Sequence, residues 1–178
     1  MIGTLTWLPA VDRPDLLAEP VAAALAGAGP DAALVAEIDP TLADTAAFCA
    51  TYEVPLDVSA NCVVLAARRA GVSRAACVVL ATTRADVNRR ARHELGARKA
   101  SFAAVDDAVA ATGMEYGGIT PVGLPADWPV LVDAAVAAAD RVVVGSGLRR
   151  SKLLLPGAAV ASLPGARVVE GLGLPAAG

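Results

Sequence analysis

The sequence is poor in the side chains that carry most metal and nucleophilic chemistry. Among 178 residues it has one histidine, His93, and three cysteines, Cys49, Cys62 and Cys77. The cysteines are odd in number and widely spaced, and no Cys-x-x-Cys occurs. That pattern argues against a zinc site and a disulfide framework and fits a reducing, cytoplasmic setting. No cysteine–histidine catalytic arrangement is in view, and His93 falls on the polar side of its helix, which reads as surface. Long apolar runs are also missing. The hydrophobic fraction of 56% and mean hydropathy of +0.55 would suit a membrane protein, but the excess is largely alanine. No stretch of about 18 apolar residues escapes a charge, Pro or Gly, so no transmembrane span is expected. The opening Met-Ile-Gly-Thr-Leu-Thr-Trp has no basic start and no apolar core, so no secretory signal is expected. An overall basic excess is absent too: the net charge is −3.

What is present is an uneven charge distribution. Residues 1–60 hold nine acids against Arg13, a balance of −8, and residues 61–178 hold fourteen Lys+Arg against nine acids, a balance of +5. The basic surplus hints at an anionic ligand met by the later two-thirds of the chain, against the plainer alternative of an uneven solvated surface. The length suits a single domain over 1–178 with a real core.

Hydrophobic periodicity and turn residues predict a mixture of strands and helices. Short strands are expected at 5–8, 33–38, 61–67, 76–82, 98–102, 130–133, 141–145, 152–155 and 167–170. Segments 61–67 and 76–82 read as a hairpin through a seven-residue loop. Helices are expected over 13–26, interrupted at Pro20, then over 40–52 with Asp39 as N-cap, 86–95, 105–112, and a short alanine-rich piece after Asp133. A last helix spans 156–163, and 171–178 reads as a frayed tail. This is an α/β (α+β) pattern, with a mixed central sheet or barrel-like core covered by helices.

The densest local signal is Thr112 to Pro125, which holds Gly113, Gly117, Gly118 and Gly123 with Pro121 and Pro125. Helix cannot cross it, because proline lacks the N–H and paired glycines carry a high entropic cost. The backbone amides of Gly117 and Gly118 can approach a carbonyl or phosphate oxygen closely, and Pro121 restricts Thr120 to extended conformations. The alternative is an ordinary connection between a helix and a strand.

From Asn61 onward the chain resembles the YbaK-like family of aminoacyl-tRNA editing domains, which occur free-standing and as the insertion domain of bacterial prolyl-tRNA synthetases. The residues that carry the resemblance are Ala60-Asn61-Cys62-Val63-Val64-Leu65 and the segment from Asp86 to Lys99. They continue with Thr112-Gly113 and the Gly117-Gly118-Ile119-Thr120-Pro121 loop, Val130-Leu131-Val132-Asp133, and Val144-Gly145-Ser146-Gly147. The resemblance covers about residues 50–170. It implies hydrolysis of the ester joining a mischarged amino acid to the 3′-terminal adenosine of tRNA, with no metal and no cofactor. The implied partner is the aminoacylated 3′ end of a tRNA, with room for an aminoacyl-tRNA synthetase and no membrane.

On this resemblance Asn61, Gly117 and Gly118 are the expected catalytic positions. Thr120, Pro121, Gly145, Ser146, Gly147 and Asp133 are expected to bind substrate, and Arg89, Arg92 and Lys99 to bind tRNA. A branched side chain at Gly118 is expected to block the ester and spare the fold. One departure stands out: the family usually places a lysine where this chain has Asn61. A charge-assisted hydrogen bond is worth about 1.5–3 kcal/mol and a neutral one about 0.5–1.5 kcal/mol. Two other readings therefore stay open: a tRNA- or nucleotide-binding module of the same fold without hydrolysis, and an interaction scaffold. For Asp133 the alternative is a cap on the following helix, and for Ser146 a turn residue.

Overall fold

The structure is a computed structural model that describes residues 2–27, 32–69 and 71–175. In chain order its strands and helices are β1 (Leu8–Pro9), α1 (Glu19–Ala26), β2 (Leu34–Glu37), α2 (Thr45–Tyr52), β3 (Ala60–Arg69), β4 (Val72–Leu80) and β5 (Thr83–Ala85). Then follow α3 (Arg92–Glu94), β6 (Ala100–Phe102), α4 (Val105–Thr112), β7 (Val130–Asp133), α5 (Ala134–Ala137), β8 (Val142–Gly145), β9 (Ser151–Leu155), α6 (Gly157–Ala161), β10 (Ala166–Val169) and β11 (Gly173–Pro175). A π-helical turn, Val87–Ala91, leads directly into α3.

The expected mixed α+β architecture is present, as two sheets and a small ribbon. One sheet runs β1-β2-β9-β8, all antiparallel. The other runs β10-β7-β4-β3-β6, with β10, β7 and β4 mutually parallel and β3 antiparallel to its neighbours. A single parallel bridge, Ser59 to Val143, joins the start of β3 to β8. Period-two alternation divides the second sheet between two cores. Ala76, Val78, Val130 and Val132 pack with α1 residues and the inner face of the first sheet. Leu65, Cys77, Val79 and Leu131 pack beneath Val87, Ala91 and Leu95.

Several local expectations change. The hairpin strands run on to Arg69 and resume at Val72, because Gly71 at φ +76 turns the chain in far fewer residues than a seven-residue loop. Pro20 sits in the first turn of α1, where its missing N–H is not needed, so it starts that helix and does not interrupt it. The helix expected from Pro40 is two pieces. Asp39 caps a short 3-10 turn, and Asp44 then caps α2 by accepting from the N–H groups of Ala46 and Ala47. Residues 173–175 are not frayed; they pair with β5 and are held by a hydrogen bond from the Gly173 N–H to Asp133. The rest of that tail, 176–178, lies outside the described residues.

Candidate functional site

A pocket of about 320 Å³ opens where β3 and β8 part company beyond the Ser59–Val143 bridge. Asn61 and Cys62 of β3, Val144 and Gly145 of β8, and Tyr116, Gly117 and Ile119 of the glycine-rich loop line it. Asp44 and Thr45, at the N-terminus of α2, and the side chains of Arg149 and Lys152 complete it. β6 pairs only with Leu65 to Ala67, so the first residues of β3 have no strand neighbour from β6 on this side. The pocket therefore sits at a gap between sheets, where backbone groups are available to a ligand.

Asn61 is half-buried in this wall. The Thr45 hydroxyl donates to its Oδ1 at 2.6 Å. The amide orientation that satisfies this bond leaves both Nδ2 hydrogens without an acceptor among the described residues.

Lys152 is the residue sequence reasoning missed. It is one of only two lysines in the chain, beside thirteen arginines. β9 is an inner strand, pairing Lys152 with Ala36 on one side and Gly145 on the other, and all five of its residues are buried. Lys152 is 7% exposed. Its Nζ donates to the Ala43 carbonyl at 3.0 Å and lies 5.1 Å from the centroid of the Phe48 ring. No carboxylate among the described residues forms an ion pair with it. Burial pushes its pKa down from 10.5 to about 8, with Cys49 and Asp44 opposing the shift and Arg149 adding to it. The signal available in the sequence was a lone lysine within Lys152-Leu153-Leu154-Leu155, a charge in an otherwise apolar strand.

The glycine loop is held in place by Arg149. Its guanidinium donates to the carbonyls of Tyr116 and Pro40, both at 3.1 Å, and its backbone N–H donates to Glu115 at 2.6 Å. Gly117 has φ +85, a conformation that disfavours any side chain. Its N–H has no hydrogen-bond partner among the described residues and so is free for a ligand. Gly118 differs. Its N–H is already committed to the Glu115 carbonyl, and its carbonyl accepts from Gly147 at 2.7 Å. A Cβ on Gly118 would lie 2.6 Å from backbone atoms of Leu148. Glycine is needed there for packing against the Leu148 turn, so the expectation that a branched side chain spares the fold does not hold.

Of the other expected site residues, Gly145 lines the pocket and the rest do not. Thr120 is fully buried and its hydroxyl has no hydrogen-bond partner among the described residues. Pro121 borders a separate apolar cavity of about 220 Å³ beside Gly27 and Leu163. Ser146 is fully buried, 2.7 Å from the Ser151 hydroxyl, and Gly147 packs beneath Ala18. Both shape the turn that carries Arg149. Asp133 caps α5 through the Ala135 N–H and holds Gly173, which is the capping alternative. Arg89, Arg92 and Lys99 are exposed around α3 and lie outside the pocket wall. His93 is exposed beside Glu94. Cys77 is buried, while Cys62 is half-buried at the pocket wall, and burial raises the pKa of both thiols. Neither is a ready nucleophile.

With this geometry in place, comparison with known proteins is informative. The model of a family described as the aminoacyl-tRNA editing domain matches residues 39–163, which contain the whole pocket wall. Among solved structures, one described as a proposed trans-editing enzyme for prolyl tRNA synthetase superposes with a TM-score of 0.74. The two chains are 20% identical, over 86% of this chain and 94% of that one. A scaffold protein from computational epitope grafting gives 0.73 at 21% identity, over 86% and 95% of the two chains. A hypothetical protein gives 0.69 at 20% identity, over 79% and 90%. At such identities the structural likeness establishes the fold. No curated protein sequence matches this one.

Proposed function

The chain belongs to the aminoacyl-tRNA editing domain family, the YbaK family, and from that premise we propose that it hydrolyses the ester of a mischarged aminoacyl-tRNA in trans. The observation that carries the reading is the pocket itself. It lies inside the matched region, and two of the three residues expected to act, Asn61 and Gly117, both line it. Its volume of about 320 Å³ equals roughly ten waters at about 30 Å³ each, enough for an aminoacyl group and the edge of its ribose.

The chemistry needs few titratable side chains. Water adds to the ester carbonyl, the acyl C–O bond breaks, and the products are a free amino acid and a tRNA with its 3′-terminal ribose hydroxyl restored. The Gly117 N–H and the Asn61 amide supply donors for the carbonyl oxygen as it gains charge, and the stapled loop holds them in position. A ribose hydroxyl of the substrate beside the ester orients the water. Gly118 contributes by fixing the loop. Exposed Arg89, Arg92 and Lys99 meet phosphates of the acceptor end, positioning it without reading sequence. The unit that acts is the 1–178 domain on tRNA.

The replacement of the family's lysine by Asn61 favours a second reading, a module that binds aminoacylated tRNA or a nucleotide without hydrolysis. A deacylation screen across a panel of aminoacyl-tRNAs separates the two. Release of amino acid above the uncatalysed rate from at least one member supports the enzyme. No release from any member, with tRNA binding retained in a titration, supports the module.

A further inference from the structure

We propose that Lys152 is the substrate-contacting cation of this pocket, so that the charged donor missing at position 61 is delivered from β9. The inference rests on the editing function proposed above. β9 is buried along its full length and paired on both sides, and Leu153, Leu154 and Leu155 follow. An apolar residue at 152 satisfies the sheet without taking a charge out of water. The chain otherwise answers its need for positive charge with arginine, thirteen times. Its two lysines are Lys99, exposed, and Lys152, buried in the pocket wall.

An ammonium carries three N–H donors. Only the Ala43 carbonyl accepts from Lys152, the Phe48 ring supplies a face, and no carboxylate among the described residues pairs with it. A buried cation in that state is complemented by a ligand that brings negative charge or a strong acceptor. The pocket that Lys152 lines is also lined by Asn61, and the Asn61 Oδ1 already accepts from Thr45. The neutral amide and the displaced ammonium thus address one cavity from two strands. The ligand chemistry follows: an oxygen of the aminoacyl-adenosine end that is partly negative or becomes so, the ester carbonyl or the departing ribose oxygen. The same charge repels the substrate's α-ammonium, which turns the amino acid so that its carbonyl side faces β9.

The test uses the full chain and the aminoacyl-tRNA that the parent hydrolyses fastest. Lys152→Met is expected to lower kcat/KM by about 10- to 100-fold, the size of a lost charge-assisted contact in the transition state. Adding Asn61→Lys to that variant is expected to restore most of the loss, by returning an ammonium from the other wall. Parent activity, corrected for uncatalysed hydrolysis, is expected to fall as pH rises through about 8. That limb should be missing from Lys152→Met and shifted above pH 10 in Lys152→Arg; the substrate's own amine titrates alike in all three. Parent-like kcat/KM in Lys152→Met, or a limb that persists in it, overturns the proposal. Should Lys152→Met fail to fold by circular dichroism, a flat parent profile from pH 7 to 9.5 overturns it instead. If the parent hydrolyses no aminoacyl-tRNA, the editing reading fails separately. An amide-linked, non-hydrolysable 3′-aminoacyl-adenosine then serves as probe: weaker binding to Lys152→Met supports the contact, and equal binding refutes it.

Discussion

Lys152 makes the protein less stable than it needs to be, and the cost can be read from its titration. Its ammonium has a pKa of about 8 in the folded chain against 10.5 when unfolded and solvated. Between those values the unfolded chain holds more protons than the native one, so stability rises with pH across that window. Above 10.5 the penalty is absent; as pH falls through 8 it develops in full. A gap of about 2.5 pH units at about 1.36 kcal/mol each is about 3 kcal/mol at pH 7, with no discount for solvent because the side chain is 7% exposed. Methionine has a similar volume and reach and carries no charge, so Lys152→Met removes the penalty and gives up the hydrogen bond to the Ala43 carbonyl, worth about 1 kcal/mol. The variant is expected to be more stable than the parent by about 2 kcal/mol at pH 7. At about 2–4 °C per kcal/mol for a chain of this size, that raises Tm by about 4–8 °C. The difference should shrink and change sign between pH 8 and 10.5 in paired urea melts. Cys62 and Cys77, whose buried thiols lose stability as pH climbs above 9, contribute equally to both proteins and cancel, whereas Cys49, raised by burial and lowered by Lys152, rises further in the variant and widens its loss of stability above pH 9. A parent as stable as the variant at pH 7, or a difference that stays constant with pH, would refute the account of Lys152 as an unpaired buried charge.

Other perturbations test the rest of the site. Asn61→Ala should lower kcat/KM by about 10-fold or more, since it removes a donor from the pocket wall; unchanged kinetics across the tRNA panel would take Asn61 out of the site. Gly118→Val places carbon 2.6 Å from the Leu148 backbone, so it should cost about 1–3 kcal/mol or more and lose activity together with stability, as a urea melt would show. The Arg89, Arg92 and Lys99 triple alanine variant should flatten the fall of tRNA affinity with salt; an unchanged slope removes these residues from the interface. Asp133→Ala deletes the cap of α5 and the anchor of Gly173, and should cost about 1–3 kcal/mol while leaving kcat/KM of the folded protein on aminoacyl-tRNA near the parent value.

Elements with local causes were legible. α4 begins and ends where its pattern and Gly113 say, and β7 runs from Val130 to Asp133 as its apolar run predicts. Errors came where two local signals competed or a distant partner decided. Asp39 and Asp44 both cap, so one expected helix became two. The tail after Gly171 looked unpaired because its partner, β5, lies far back in the chain, and Asp133 fastens it there. Nothing within 171–178 could reveal that.

Asn61 and Gly117 line one pocket, as the sequence pattern brought them together, but the glycine-rich loop conceals two different demands. Gly117 is glycine because φ +85 requires it, and its N–H remains open; Gly118 is glycine because the Leu148 turn leaves no room, and its N–H is spent. A motif registers both as the same letter. Lys152 was invisible for the complementary reason. A motif asks whether a lysine stands in one column, the start of β3, and there it finds Asn61. On the proposed reading the substrate meets a cavity lined from β3, β8, β9 and the loop, and a charge entering it from any of them would serve the same oxygen. The electrostatic demand belongs to the cavity, so it can be met by a residue from another strand, and the departure at position 61 alone does not make the pocket uncharged.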